Sequence, residues 1–137
     1  MAAVEMAFIL PVFLTLVLGM IEASRVGMVA QLLNTAARDS CRYAAINGNN
    51  DINQVKARID TVLNGSGVPV ASLQAVDADP GTAGAFILPS NWTTAAGGTP
   101  IQVVLRVPFT QVSWLPTPRF LGGGKIVSSA TFSSERR

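Results

Sequence analysis

Histidine is absent from the 137 residues, and cysteine occurs once, at Cys41. An internal disulfide would need a second thiol, and a structural zinc site has almost no ligands to draw on. No imidazole stands ready as a base for a serine or cysteine nucleophile. Walker and dinucleotide glycine patterns are also missing, and the nearest carboxylate pair, Asp77 with Asp79, sits in a turn-forming stretch. These absences exclude the common routes to catalysis, so the chain is read as a non-enzyme without cofactor or metal. Charge is scarce too: only 13% of residues are Asp, Glu, Lys or Arg, and the mean hydropathy is +0.40. All ten basic residues follow Glu22, against six acids there, giving that part a net charge of +4. The positive charge is spread thinly, with no Lys or Arg run to follow a phosphate backbone, and nucleic acid is not an expected partner. Cys41, among Ala36, Ala37, Ser40 and Ala44 at helical spacing, reads as a small packing residue.

The apolar excess sits in the opening stretch. Glu5 stands alone before an unbroken apolar run from Met6 to Ile21, which Glu22 and Arg25 close. As a helix this run is about 24 Å long at about 1.5 Å per residue. A bilayer core of about 30 Å asks for about 20 apolar residues, so the run is slightly short for a span. An acid at its entrance is costly in lipid and calls for a partner other than lipid. No basic residue precedes the run, unlike a secretory signal peptide, and Arg25 behind it would hold the rest of the chain in the cytoplasm by the positive-inside rule. Removal of a short basic leader ahead of Met1 would resolve that conflict, which makes Met1 a candidate processed terminus. Pro11 removes the bond to the Ala7 carbonyl and predicts a kink, and Gly19 is a second weak point.

Ala2-Ala3-Val4-Glu5-Met6-Ala7, then Ile9-Leu10-Pro11 and Gly19-Met20-Ile21-Glu22, resembles the opening of the TadE-like pseudopilins of tight-adherence pilus systems. Met6 departs from the pattern, which more often has Phe or Tyr there. The resemblance covers about the first 45 residues, with a weaker likeness from Ile126 to Glu135. It implies that Glu5 is the glutamate that neutralises the terminal amine of a neighbouring subunit, at a Met1 exposed by prepilin peptidase. It also implies an assembly surface of Met1, Glu5, Phe8, Pro11, Phe13, Leu14, Leu16, Val17, Gly19 and Glu22. The expected protein is a structural subunit of a type IV pilus-like filament, a homo-oligomer built through its amino-terminal helices. By the same resemblance it waits in the bacterial inner membrane, meets the pilus assembly machinery, and ends at the cell surface. The alternative is a membrane-anchored minor pseudopilin that primes or caps a filament, since major tight-adherence pilins are usually smaller and lack a head.

Beyond Glu22, Val26, Val29, Leu33, Ala36, Ser40 and Ala44 recur at three- and four-residue spacing, with Arg25, Arg38 and Arg42 off the stripe. Glu22 and Arg25 suit an i,i+3 ion pair. The helix is predicted to run from about residue 2 to 46, about 65–70 Å, and to stop at Asn47-Gly48-Asn49-Asn50. Asp51 caps a second helix bearing Ile52, Val55, Ile59, Val62 and Leu63. Strands are predicted at Val68–Val76, Ile101–Phe109 and Lys125–Ser133. Phe86-Ile87-Leu88 and Trp92 fall in a connection that they pin to the domain or to a neighbour. Thr110–Gly124 reads as a loop whose Trp114, Leu115, Phe120 and Leu121 need cover. Asp77–Gly84 resembles part of a calcium loop but lacks its other ligands, and is taken as an Asp-Pro-Gly turn. The sequons at Asn64 and Asn91 are read as chance. The expected class is α+β: a long helix, a short second helix and a three-stranded antiparallel sheet packed on it. Residues 1–24 form the transmembrane or filament-core segment, and residues 25–137 form a head that shares the continued helix.

Overall fold

A computed structural model describes residues 2–46, 52–64, 66, 68, 84–89, 91–114 and 123–135, with backbone only at Ala2 and Ala3. The chain begins with one 45-residue helix, α1 (Ala2–Ile46), followed by α2 (Ile52–Leu63). Three strands follow, β1 (Gly84–Leu88), β2 (Pro100–Pro108) and β3 (Lys125–Ser133), with a four-residue helix α3 (Phe109–Val112) between the last two. The sheet order is β1-β2-β3 and both pairings are antiparallel. This is the α+β architecture read from the sequence.

α1 crosses Pro11 and Gly19 as continuous helix. Pro11 cannot donate to the Ala7 carbonyl, and one turn further on Thr15 Oγ1 donates back to the Pro11 carbonyl at 2.8 Å. The far half of α1 supplies the spine of the head. Val29, Leu33, Ala36, Ala37, Ser40, Cys41, Ala44 and Ala45 are buried, the stripe expected from the spacing with Cys41 among them. Most of these side chains are small, which lets the sheet approach the helix closely. Cys41 Sγ lies 3.2 Å from the Ile101 carbonyl as a result, and Ser40 Oγ donates back to the Ala36 carbonyl at 2.6 Å. α2 packs against α1 through Val55, Ile59 and Leu63.

Ile101, Val103, Leu105 and Val107 of β2 face this core without solvent exposure, while Gln102, Arg106 and Pro108 on the alternate positions are half-buried. Ala85 and Ile87 of β1 lie opposite Leu105 and Val103, and Ala130 of β3 lies opposite Val103 on the other side. The end of β3 closes the head onto α1. Glu135 N donates to the Ala45 carbonyl at 3.2 Å, which satisfies one of the carbonyls a helix leaves free at its last turn. Gly98, at φ 84°, lets the chain turn into β2 while its N–H reaches the Ser134 carbonyl at 2.8 Å.

Two sequence expectations need correction. The first strand of the sheet is Gly84–Leu88, where the sequence suggested only a connection. Four of its five residues are buried, so both faces are covered and the period-two alternation that marks a half-exposed strand is missing. The strand expected at 68–76 lies outside the described residues apart from Val68, as does the turn expected at 77–84 apart from Gly84, which opens β1, and so do the stop at 47–50 and the cap at Asp51. Phe109 does not continue β2. The strand ends at Pro108, and Phe109 N donates to the Gly124 carbonyl at 2.9 Å as it opens α3, so Phe109 is helical instead of strand and residues 110–112 are helical instead of loop.

Candidate assembly interface

The near half of α1 is as exposed as its far half is buried. Phe8 is 76% exposed, Phe13 60% and Met20 69%, and nearly every apolar side chain from Val4 to Ile21 is open. Consecutive residues on a helix point in different directions, so the apolar surface runs all round the rod instead of along one stripe. The helix is long and apolar enough to cross a membrane, and its most apolar eighteen-residue window has a mean hydropathy of 2.3 with none of it buried by the chain. A free apolar surface of this extent marks a contact with lipid or protein.

The residues expected at the assembly surface are disposed along this rod. Glu5, Phe8, Pro11, Phe13, Leu14, Leu16 and Gly19 are exposed, and Val17 and Glu22 are half-buried. Met1 lies outside the described residues. A methyl group placed on Gly19 would meet nothing within 4 Å, so the chain itself does not demand a glycine there. Glu5 has no hydrogen bond or ion pair with the described head, whose residues all lie further along the helix.

At the neck, where the rod meets the head, the structure departs from the predicted ion pair. Arg25 does not pair with Glu22. Its Nε donates to the Val112 carbonyl at 2.7 Å, and its guanidinium lies 4.2 Å from the centroid of the Trp114 ring. Val112 ends the short helix α3, so its carbonyl lacks an intrahelical partner and a cation there is favoured. Glu22 Oε1 is left buried without a hydrogen bond. Trp114, expected to find cover, is 74% exposed. This cluster was not foreseen, because nothing in the sequence spacing ties Arg25 to a loop some ninety positions later.

The head offers little else. A shallow depression of about 260 Å³ is lined by Asp39, Arg42, Tyr43, Ile46 and Arg58. Arg58 Nε meets Asp39 Oδ2 there at 3.1 Å, and Tyr43 donates to Gln54 Oε1 at 3.0 Å. Asp39 and Arg58 are thus paired with each other, and the site is open to solvent. Among the described residues no group of three or more His, Cys, Asp and Glu side chains comes together to hold a metal ion. Cys41 is buried, and desolvation pushes its thiol above the ordinary value of 9.0, which keeps it protonated and inert.

Residues 1–42 match the family model described as TadE-like protein, which spans the whole exposed rod and most of the remainder of α1. No curated protein matches the chain, and no solved structure does. The match supports the sequence resemblance over the first helix and points to the tight-adherence pilus. The sheet and α2 lie beyond it.

Proposed function

From a TadE-like opening segment carried on a bare apolar rod, we propose that the chain is a structural subunit of a pilus-like filament. The observation that carries this reading is the rod itself: from Met6 to Ile21 it is apolar on all sides, and the chain buries none of these side chains. Before assembly the rod sits in the inner membrane. On assembly it leaves lipid and packs beside the rods of other copies, with the heads outside. Glu5 then neutralises the terminal amine of a neighbour, because an isolated charge is not tolerated in an apolar core. The pair fixes axial register, since any slip strands both charges. Gly19 fits the same picture, as a position where another helix can come close.

The test is to shear the cell surface, collect what is released, and identify the main polypeptide by mass spectrometry. The reading expects this chain in filaments visible by electron microscopy. A second reading, a minor pseudopilin that stays in the membrane and primes or caps another protein's filament, is favoured by the size of the folded head. It expects the chain wholly in the membrane fraction.

A further inference from the structure

We infer that the Arg25–Trp114 neck is a membrane-interface collar: Trp114 lodges in the headgroup zone of the bilayer and seats the head on the membrane before assembly. The inference rests on the anchoring part of the proposed function, and it adds a contact made by the head.

Position is the first argument. A hydrocarbon core of about 30 Å takes about 20 helical residues, and counted from Met6 these end near Arg25. The apolar run itself ends at Ile21, so it is short by about four residues, and a short span draws its flanking residues toward the membrane. Side chains on a helix lean toward its amino terminus, so the Arg25 guanidinium, and the indole stacked on it, sit on the membrane side of the Arg25 backbone. Chemistry is the second argument. Tryptophan prefers the interface, where its apolar body and N–H are both served, and arginine near a helix end reaches for the same zone. Among the described residues Trp114 is the aromatic that the head leaves most open, at 74% exposure, while Trp92 is 3% exposed within the core. Continuity is the third. The exposed apolar run ends at Ile21, and the cluster is held by Arg25, about one helical turn further on, so the indole is tied to the helix just past the end of that run.

The chain has two tryptophans, which makes fluorescence a direct reader. The full chain is reconstituted into vesicles of phosphatidylcholine and phosphatidylglycerol and recovered by flotation. The Trp114 signal is the difference between wild type and Trp114→Phe. Should Trp114→Phe fail to fold, Trp92→Phe leaves Trp114 as the sole fluorophore. The expected result is a blue-shifted Trp114 emission, shielded from aqueous iodide and losing most of its intensity to lipids brominated next to the glycerol. Lipids brominated at the chain ends should quench it less, and Trp92 should respond to neither. A floated protein whose Trp114 is quenched by iodide and untouched by bromolipid overturns the collar while leaving the anchor intact. Shielding from iodide without bromolipid quenching also overturns it, and assigns the ring to a second copy. A chain that does not float overturns the anchoring reading, and the collar with it.

Discussion

Leu33→Ala and Leu14→Ala make the same chemical change on one helix and should have opposite consequences. Leu33 has no solvent exposure and belongs to the cluster that joins α1, α2 and the sheet. Its truncation removes about 1.5–3 kcal/mol of apolar burial and leaves a cavity that raises the total to about 2–5 kcal/mol. A small domain has about 5–15 kcal/mol to lose, so the folding constant should fall by roughly thirty-fold to several thousand-fold. Leu14 is 48% exposed and touches no part of the head core. Its truncation should leave head stability within about 0.5 kcal/mol, the range of an uninvolved surface position. It should instead weaken assembly, because the packed rods would lose part of its side chain from their shared core. The assay is urea unfolding of each reconstituted variant, followed by the near-ultraviolet signal of the head, alongside a yield of sheared filaments. The expected pattern is a lower midpoint with unchanged slope for Leu33→Ala, and a normal midpoint with reduced filament yield for Leu14→Ala. A destabilised head in Leu14→Ala, or an unaffected midpoint in Leu33→Ala, would refute the division of α1 into an assembly half and a core half.

Glu5→Gln keeps the shape of the side chain and removes its charge; the account expects folded heads, by circular dichroism, and no filaments, and abundant normal filaments would sink the register argument. Burial raises the Cys41 thiol above 9.0, so the folded head holds a proton that the unfolded chain gives up. Its contribution is fully present below about pH 9 and is lost as pH rises through the folded value, so the loss of stability between about pH 8 and about pH 10 should be smaller in Cys41→Ala than in wild type. The Asp39–Arg58 pair is 40% and 52% exposed at its side chains, so Asp39→Asn should shift stability by no more than about 1 kcal/mol, checked by the same urea titration.

The legible parts of the fold were those with an exposed face to contrast with a buried one. The α1 stripe from Val29 to Ala44, the α2 stripe and the limits of β3 could be read because apolar and polar positions alternate at the proper period. β1 was missed because Gly84–Leu88 is covered on both faces, so burial left no alternation to read. Phe109 reads as strand because hydrophobicity continues past Pro108, and its N–H does bond the Gly124 carbonyl next in register, but its backbone has already turned into α3. The rod and Glu5 were visible as a long apolar run with one acid. The neck was not, since Arg25 chose an orphan carbonyl and an indole from a distant loop over the acid one turn away.

Electron cryo-microscopy of sheared surface filaments tests the central claim most directly. The account predicts a filament containing this chain, with residues 4–21 of neighbouring copies packed against one another at its centre and Glu5 beside the amino terminus of an adjacent subunit. Filaments whose core is built from other polypeptides, or copies of this chain whose rods touch only lipid, would contradict it.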